Sequence, residues 1–166
     1  KSESKTITNN LTLRWDIWKG FYLTGSFSYS LSDSQSDKFV SPDHSSFETE
    51  TDPGKRGSYF ISNMRGKSWQ ARIGLTYSKT LSDNGSILTL NVGANANKSN
   101  SNSNSFSGIG FLKGNLTDMA FANSYPTNGH PSGSESLSSS VGVYGNLNII
   151  FLNRYFVDGS YRVSGS

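Results

Sequence analysis

The sequence predicts an all-β chain: an antiparallel meander of about six strands, forming a partial segment of a large transmembrane β-barrel. Three observations carry this prediction. Apolar and polar residues alternate with period two in six separate runs. The connections between runs alternate between short and long, and aromatic residues gather toward the ends of the runs while aliphatic residues fill the middles. Period two places successive side chains on opposite faces of a strand, so each run has one apolar face and one polar face.

The first run sets Leu11, Leu13, Trp15 and Ile17 against Thr12, Arg14 and Asp16. After Lys19-Gly20 the second sets Phe21, Leu23, Gly25, Phe27 and Tyr29 against Thr24, Ser26 and Ser28, so the two read as a hairpin. The third sets Trp69, Ala71, Ile73, Leu75 and Tyr77 against Gln70, Arg72, Thr76 and Ser78. It leads into Ser82-Asp83-Asn84-Gly85, whose Asn-Gly pair favours a tight hairpin turn because both positions tolerate positive φ. The fourth sets Leu88, Leu90, Val92, Ala94 and Ala96 against Thr89, Asn91 and Asn95. The fifth sets Leu137, Val141, Val143, Leu147, Ile149 and Phe151 against Ser138, Ser140, Asn146 and Asn148, and the sixth sets Tyr155, Val157, Tyr161 and Val163 against Asp158, Ser160 and Arg162. No position on an apolar face is charged.

The short connections are Lys19-Gly20, Ser82 to Gly85 and Leu152 to Arg154; the long ones are 31–67 and 97–136. Asp158-Gly159 is a rival site for the last turn, but placing it at Leu152 to Arg154 preserves the alternation on both sides. Long structureless loops confined to one side of a meander are uncommon in compact soluble domains, whereas outer-membrane barrels combine short periplasmic turns with long extracellular loops. Ser68 to Leu81 and Leu137 to Phe151 exceed the roughly 9 to 11 residues that a tilted strand needs to cross a bilayer. Trp18, Phe21, Tyr22, Tyr77, Phe151, Tyr155 and Phe156 lie near the short turns, and Tyr29, Trp69 and Tyr161 near the long loops, as two interfacial girdles would require. Six strands cannot close a membrane barrel, whose bacterial forms start at about eight. The chain, opening Lys1-Ser2-Glu3-Ser4, is therefore expected to be a piece of something longer.

Composition excludes several function classes. With 32 Ser, 16 Asn and 17 Gly against 33% hydrophobic residues, the chain is polar for a compact enzyme, while 13% aromatics argue against plain disorder. No fully apolar run is longer than Ile149 to Leu152, so no helix can cross a membrane. There is no Cys, hence no thiolate metal site. The charge of +3 is scattered rather than clustered, so nucleic acid is not an expected partner. His44 and His130 stand in loops without a nucleophile in a recognisable elbow, and no catalytic residue is assigned. Asp43, Glu48, Glu50 and Asp52 lack the spacing of a calcium loop, and Gly108-Ile109-Gly110 follows no parallel-strand pattern, so neither a metal nor a nucleotide cofactor is expected.

Three stretches carry a family resemblance: Lys55-Arg56-Gly57-Ser58-Tyr59-Phe60-Ile61-Ser62-Asn63, the run Ala71 to Leu81, and the closing Asn153-Arg154-Tyr155-Phe156-Val157-Asp158-Gly159-Ser160-Tyr161-Arg162-Val163-Ser164-Gly165-Ser166. The last resembles the pattern in which an Arg-Tyr pair opens a strand and an Arg with a small polar turn closes it, with Val163-Ser164-Gly165 standing where Asp-Gly is usual. Together they resemble the SusC/RagA family of TonB-dependent outer-membrane transporters of Bacteroidetes. The resemblance implies a barrel of 22 strands with a plug in its lumen, coupling to the TonB complex through that plug, and pairing with a SusD-like surface lipoprotein to import glycans or peptides. Plug and TonB box lie outside these residues. Arg14, Asp16, Arg72 and Arg162 are then the lumen-facing charges, expected to ion-pair with plug or neighbouring strands. Of the loop aromatics, Tyr59, Phe106, Phe111 and Tyr125 are candidates for stacking on a ligand, although packing each loop against its neighbours is the reading that order in a long loop favours.

Two rival readings differ in class. A complete eight-stranded outer-membrane adhesin would need two further strands inside 31–67 or 97–136. A soluble secreted β-sandwich that binds carbohydrate would seal the apolar faces against each other.

Overall fold

The computed structural model describes residues 1–82 and 85–166; Asp83 and Asn84 of the predicted Asn-Gly turn lie outside the described residues. Strands β1 (Ser2–Trp18), β2 (Phe21–Val40), β3 (Ser58–Ser82), β4 (Ser86–Ile109), β5 (Ser132–Phe151) and β6 (Tyr155–Gly165) form one antiparallel sheet in sequence order, and the sheet does not close. All six predicted strands are present. All six run beyond their alternating stretches, and the extensions of β2 to β5 shorten the long connections to 41–57 and 110–131.

Among the described residues those connections add no strand, only an isolated bridge between Ile109 and Ser124, which removes the eight-stranded alternative. No second sheet is present either, and the large exposed side chains include Leu11 (68%), Ile73 (52%), Val141 (63%) and Val157 (57%). A two-layer core, which the sandwich reading requires, is therefore absent among the described residues.

The chain divides into two compact units, the first assembled from segments of β1 to β5 and the second from the remainder of those strands with β6. The first comprises Lys1–Ile7, Leu31–Gly66 and Ser101–Ser136; the second comprises Thr8–Ser30, Lys67–Asn100 and Leu137–Ser166.

In the second unit the β5–β6 register sorts the two faces as the sequence requires. Val143 pairs with Val163, Ile149 with Val157 and Phe151 with Tyr155 on the apolar face, while Tyr144 pairs with Arg162, Asn146 with Ser160 and Asn148 with Asp158 on the polar face. A slip of one residue would exchange the faces of an entire strand, so matched alternation on both strands pins this register. Asn148 donates a hydrogen bond to Asp158, which places Asp158-Gly159 within a strand and leaves the turn at Leu152 to Arg154. There Leu152 (φ 55°) and Asn153 (φ 52°) both adopt the left-handed conformation, and Arg154 N–H closes on the Phe151 carbonyl at 3.1 Å. At the Lys19-Gly20 turn, the Trp18 ring stacks on Phe21 (5.5 Å) and Phe21 meets Tyr77 edge-on (6.2 Å), so adjacent strands share one aromatic row.

The first unit holds a different kind of structure. Its strand segments carry hydroxyls and amides on facing positions: Thr6 with Ser32, Asn63 with Asn104 (3.2 Å), Ser103 with Ser134 (2.8 Å) and Ser105 with Ser132 (2.8 Å). The connections contain three single turns of 3₁₀ helix, Ser45–Phe47, Pro53–Lys55 and Met119–Phe121, capped by His44, Asp52 and Asp118 through bonds from the amides of Ser46, Gly54 and Ala120. A small aromatic core ties them together. Phe111, 1% exposed, meets Phe39 edge-on at 5.2 Å and Tyr59 at 6.4 Å, and the Phe111 amide donates to the Arg56 carbonyl at 2.8 Å.

Candidate functional site

The polar face of β3 to β6 in the second unit is the candidate site. It forms a trough of about 530 Å³ lined by Gln70, Arg72, Asn95, Asn97, Ser140, Tyr144, Asn146, Ser160, Tyr161 and Arg162. Two of the four charges that the sequence resemblance singled out, Arg72 and Arg162, thus meet in one concavity, although they stand 90 positions apart in the sequence.

Glycines shape its floor. Tyr144 lies across Gly93 and reaches Gly74: a methyl group added at Gly93 would stand 2.6 Å from the Tyr144 ring and 2.6 Å from the Ile73 carbonyl, and one at Gly74 would stand 3.3 Å from the Tyr144 hydroxyl. Only a residue without a side chain leaves room for a ring laid flat on the sheet. Ser140 donates a hydrogen bond to the Asn97 amide oxygen, fixing part of the trough wall. With its amide turned so that oxygen faces the guanidinium, Gln70 accepts from Arg72 Nε at 3.2 Å and Nη2 at 3.0 Å. Asn91 Oδ1 is buried with no hydrogen-bond partner among the described residues.

The other two charges form a pair. Arg14 donates to Asp16 Oδ1 through Nε (3.1 Å) and Nη2 (2.9 Å), and its guanidinium sits 4.1 Å from the centre of the Tyr22 ring. This cation is neutralised within its own strand. Arg72 and Arg162 have no ion pair among the described residues, and Asp158 is occupied by Asn148.

Of the four aromatics expected in loops, Tyr59 lies in β3 and Phe106 in β4 because those strands run further than the alternation predicts, and the four divide by burial. Phe111 and Tyr59 are packed in the aromatic core, where burial, followed by the nearby Asp37 and Asp118 charges, raises the Tyr59 phenol above its ordinary pKa. Phe106 is half-buried and Tyr125 is exposed at 54%. His44 caps a turn and His130 Nδ1 lies 3.1 Å from the Pro131 carbonyl oxygen. In the acidic stretch, Glu50 accepts from the Asp52 amide (3.0 Å), and Asp52 accepts from the Gly54 amide (2.9 Å).

Sequence reasoning missed Tyr144, Asn97 and the glycines beneath the ring. A signal for them does exist. Tyr144 is an aromatic residue at a polar-face position, and Gly74 and Gly93 interrupt the polar faces of the third and fourth runs.

The features together define an open, two-faced β-sheet wall with one apolar surface and one polar surface that gathers charge. The chain superposes on the RagAB peptide transporter with a TM-score of 0.84 at 16% identity, covering 98% of this chain and 17% of that one. It superposes equally on the RagAB peptide importer in the 'open-open' state (TM-score 0.84) and on the 'closed-closed' state (TM-score 0.82), with the same identity and coverage. At that identity the likeness is one of fold, and the chain spans 17% of the length of these transporter chains. No protein-family model matches the sequence. No curated protein matches it.

Proposed function

We propose that this chain is part of the barrel wall of a SusC-like, TonB-dependent outer-membrane transporter, which imports peptides or glycans together with a SusD-like surface lipoprotein. The observation that carries this reading is the uncovered apolar face: Leu11, Leu13, Trp15, Ile73, Val141, Val143 and Val157 are all at least half exposed on a single sheet. Contiguous apolar surface of that kind on an isolated sheet calls for lipid or another apolar layer. Aromatic rows near the short turns fit a lipid interface, and the fold shared with the RagAB peptide transporter supplies the rest of the argument.

In this reading the polar face looks into the lumen, with Arg14, Asp16, Arg72 and Arg162 along it, and the connections 41–57 and 110–131 are extracellular. Tyr125 in the connection 110–131 and Phe106 near the end of β4 are the aromatics with surface to offer a ligand or the lipoprotein. Plug and TonB contacts belong to the remainder of the longer protein.

The test is to express the full-length protein with an affinity tag in its own host. Recovery from the outer-membrane fraction, with a surface lipoprotein encoded beside it co-purifying, is the expected result. Recovery of a soluble monomer without detergent would overturn the proposal.

A further inference from the structure

Three arginines stand on the polar face of the second unit, and they are not equivalent. Arg14 is matched by Asp16 on its own strand, so it contributes no net charge. Arg72 is held by a neutral amide, Gln70, which orients the guanidinium without neutralising it. Arg162 has no ion pair among the described residues, and the residue opposite it in register is Tyr144. Among the described residues, the trough that both arginines line therefore holds two guanidiniums without an ion pair, and its lining includes no carboxylate.

Leaving two guanidiniums unmatched in one concavity costs electrostatic repulsion, and a cleft lined by one sign of charge concentrates counter-ions of the other. Guanidinium is the side chain best shaped to take a carboxylate, through two parallel N–H donors. Around the arginines stand Asn95, Asn97, Asn146 and Ser140, groups that can donate or accept as a hydrated ligand demands.

The lining also distinguishes between occupants. None of the residues lining the trough is aliphatic. A protein domain packed permanently against this face would bury more polar than apolar surface there, the Tyr144 and Tyr161 rings supplying most of the apolar part, whereas stable protein interfaces are more than half apolar. A hydrated solute that binds and leaves suits the lining better.

We infer that the trough between Arg72 and Arg162 is a binding site for the carboxylate groups of a solute moving along the polar face, which makes acid-bearing cargo the preferred class. This rests on the transporter reading above and adds a charge preference to it. Tyr144, laid over Gly93, forms the floor on which such a solute slides, and Gln70 is the positioning residue for Arg72.

The experiment uses the full-length transporter purified in detergent with its lipoprotein, and two synthetic peptides of identical length that differ only in having Asp at four positions where the other has Asn. Binding is read by calorimetry for the wild type, the double variant Arg72→Gln/Arg162→Gln and the charge-conserving double variant Arg72→Lys/Arg162→Lys. The wild type is expected to bind the Asp peptide about tenfold more tightly than the Asn peptide, the order expected for one or two charge-assisted hydrogen bonds. The Gln variant should lose that preference, binding the two peptides with equal affinity, and the Lys variant should retain part of it. Equal preference in wild type and Gln variant would overturn the site. A thermal-unfolding arm separates the remaining case. If the Gln variant melts several degrees lower with no change in peptide preference, the carboxylates that meet these arginines belong to the protein itself, and the solute proposal falls. If the wild type binds neither peptide, acid-bearing peptide cargo is excluded and the site with it, whereas the transporter reading stands or falls separately on membrane fractionation.

Discussion

Replacing Phe111 with Ala tests whether the long connections are one packed body. The side chain is 1% exposed, and it bridges strand β2 through Phe39 (5.2 Å) and strand β3 through Tyr59 (6.4 Å). Truncating a buried Phe to Ala costs about 3 to 5 kcal/mol in transfer and cavity terms. One factor of ten in an equilibrium corresponds to about 1.4 kcal/mol, so the opening equilibrium of this core should shift by roughly two to three and a half orders of magnitude, up to the limit set by its own local stability. Two amides report it directly: Phe111 N–H on the Arg56 carbonyl (2.8 Å) and Gly110 N–H on the Gly57 carbonyl (3.2 Å). Hydrogen exchange on the full-length protein in detergent should show both amides losing protection in Phe111→Ala, along with the segment 53–57, while amides of β5 paired with β6 are unchanged. Leu112→Ala is the matched control, since Leu112 is 79% exposed and a surface truncation of this kind stays within about 0.5 kcal/mol. Unchanged protection at Gly110 and Phe111 would refute the argument that Phe111 holds the connections together.

Three further outcomes follow from the geometry. Gly110→Ala should be strongly destabilising to the same region, by more than about 2 kcal/mol, because Gly110 has φ 80° and its new methyl would stand 2.0 Å from the Gly54 carbonyl oxygen; exchange at segment 108–124 checks it. Gly93→Ala should lower the melting temperature, and adding Tyr144→Ser should restore only part of the loss, since the Ile73 carbonyl remains 2.6 Å from the methyl after the ring is gone; full rescue would contradict this. The Tyr59 phenol is raised by burial, so the neutral form is the one that folding favours. Its contribution to stability is complete at pH values below the ordinary tyrosine range and is lost as pH climbs through the elevated folded value, and ultraviolet titration of wild type against Tyr59→Phe should show one late-ionising tyrosine missing from the variant.

The alternation made the second unit legible: Leu11 to Ile17, Trp69 to Tyr77 and Val141 to Phe151 each sort correctly by parity, and the β5–β6 register agrees with the assigned faces. The first unit was not legible by the same rule. Between Ser99 and Ser107 the chain is almost wholly Ser and Asn, so nothing distinguishes one face from the other, and the strand continues through hydroxyl and amide pairs such as Ser103 with Ser134. A strand with two polar faces has no hydrophobic period to read. The contact of Phe39, Tyr59 and Phe111 joins three distant stretches, and periodicity carries no information about it. The charged polar-face residues could be assigned one by one from parity, but that Arg14 would be neutralised while Arg72 and Arg162 share a trough depended on cross-strand register.

Because the sheet does not close, β1 and β6 each leave one flank of backbone donors and acceptors unsatisfied along their length. On its own, such a ribbon offers two sticky seams to any copy of itself, and edge-to-edge stacking into fibrils is its natural fate. In the barrel proposed above, adjoining strands would occupy both seams.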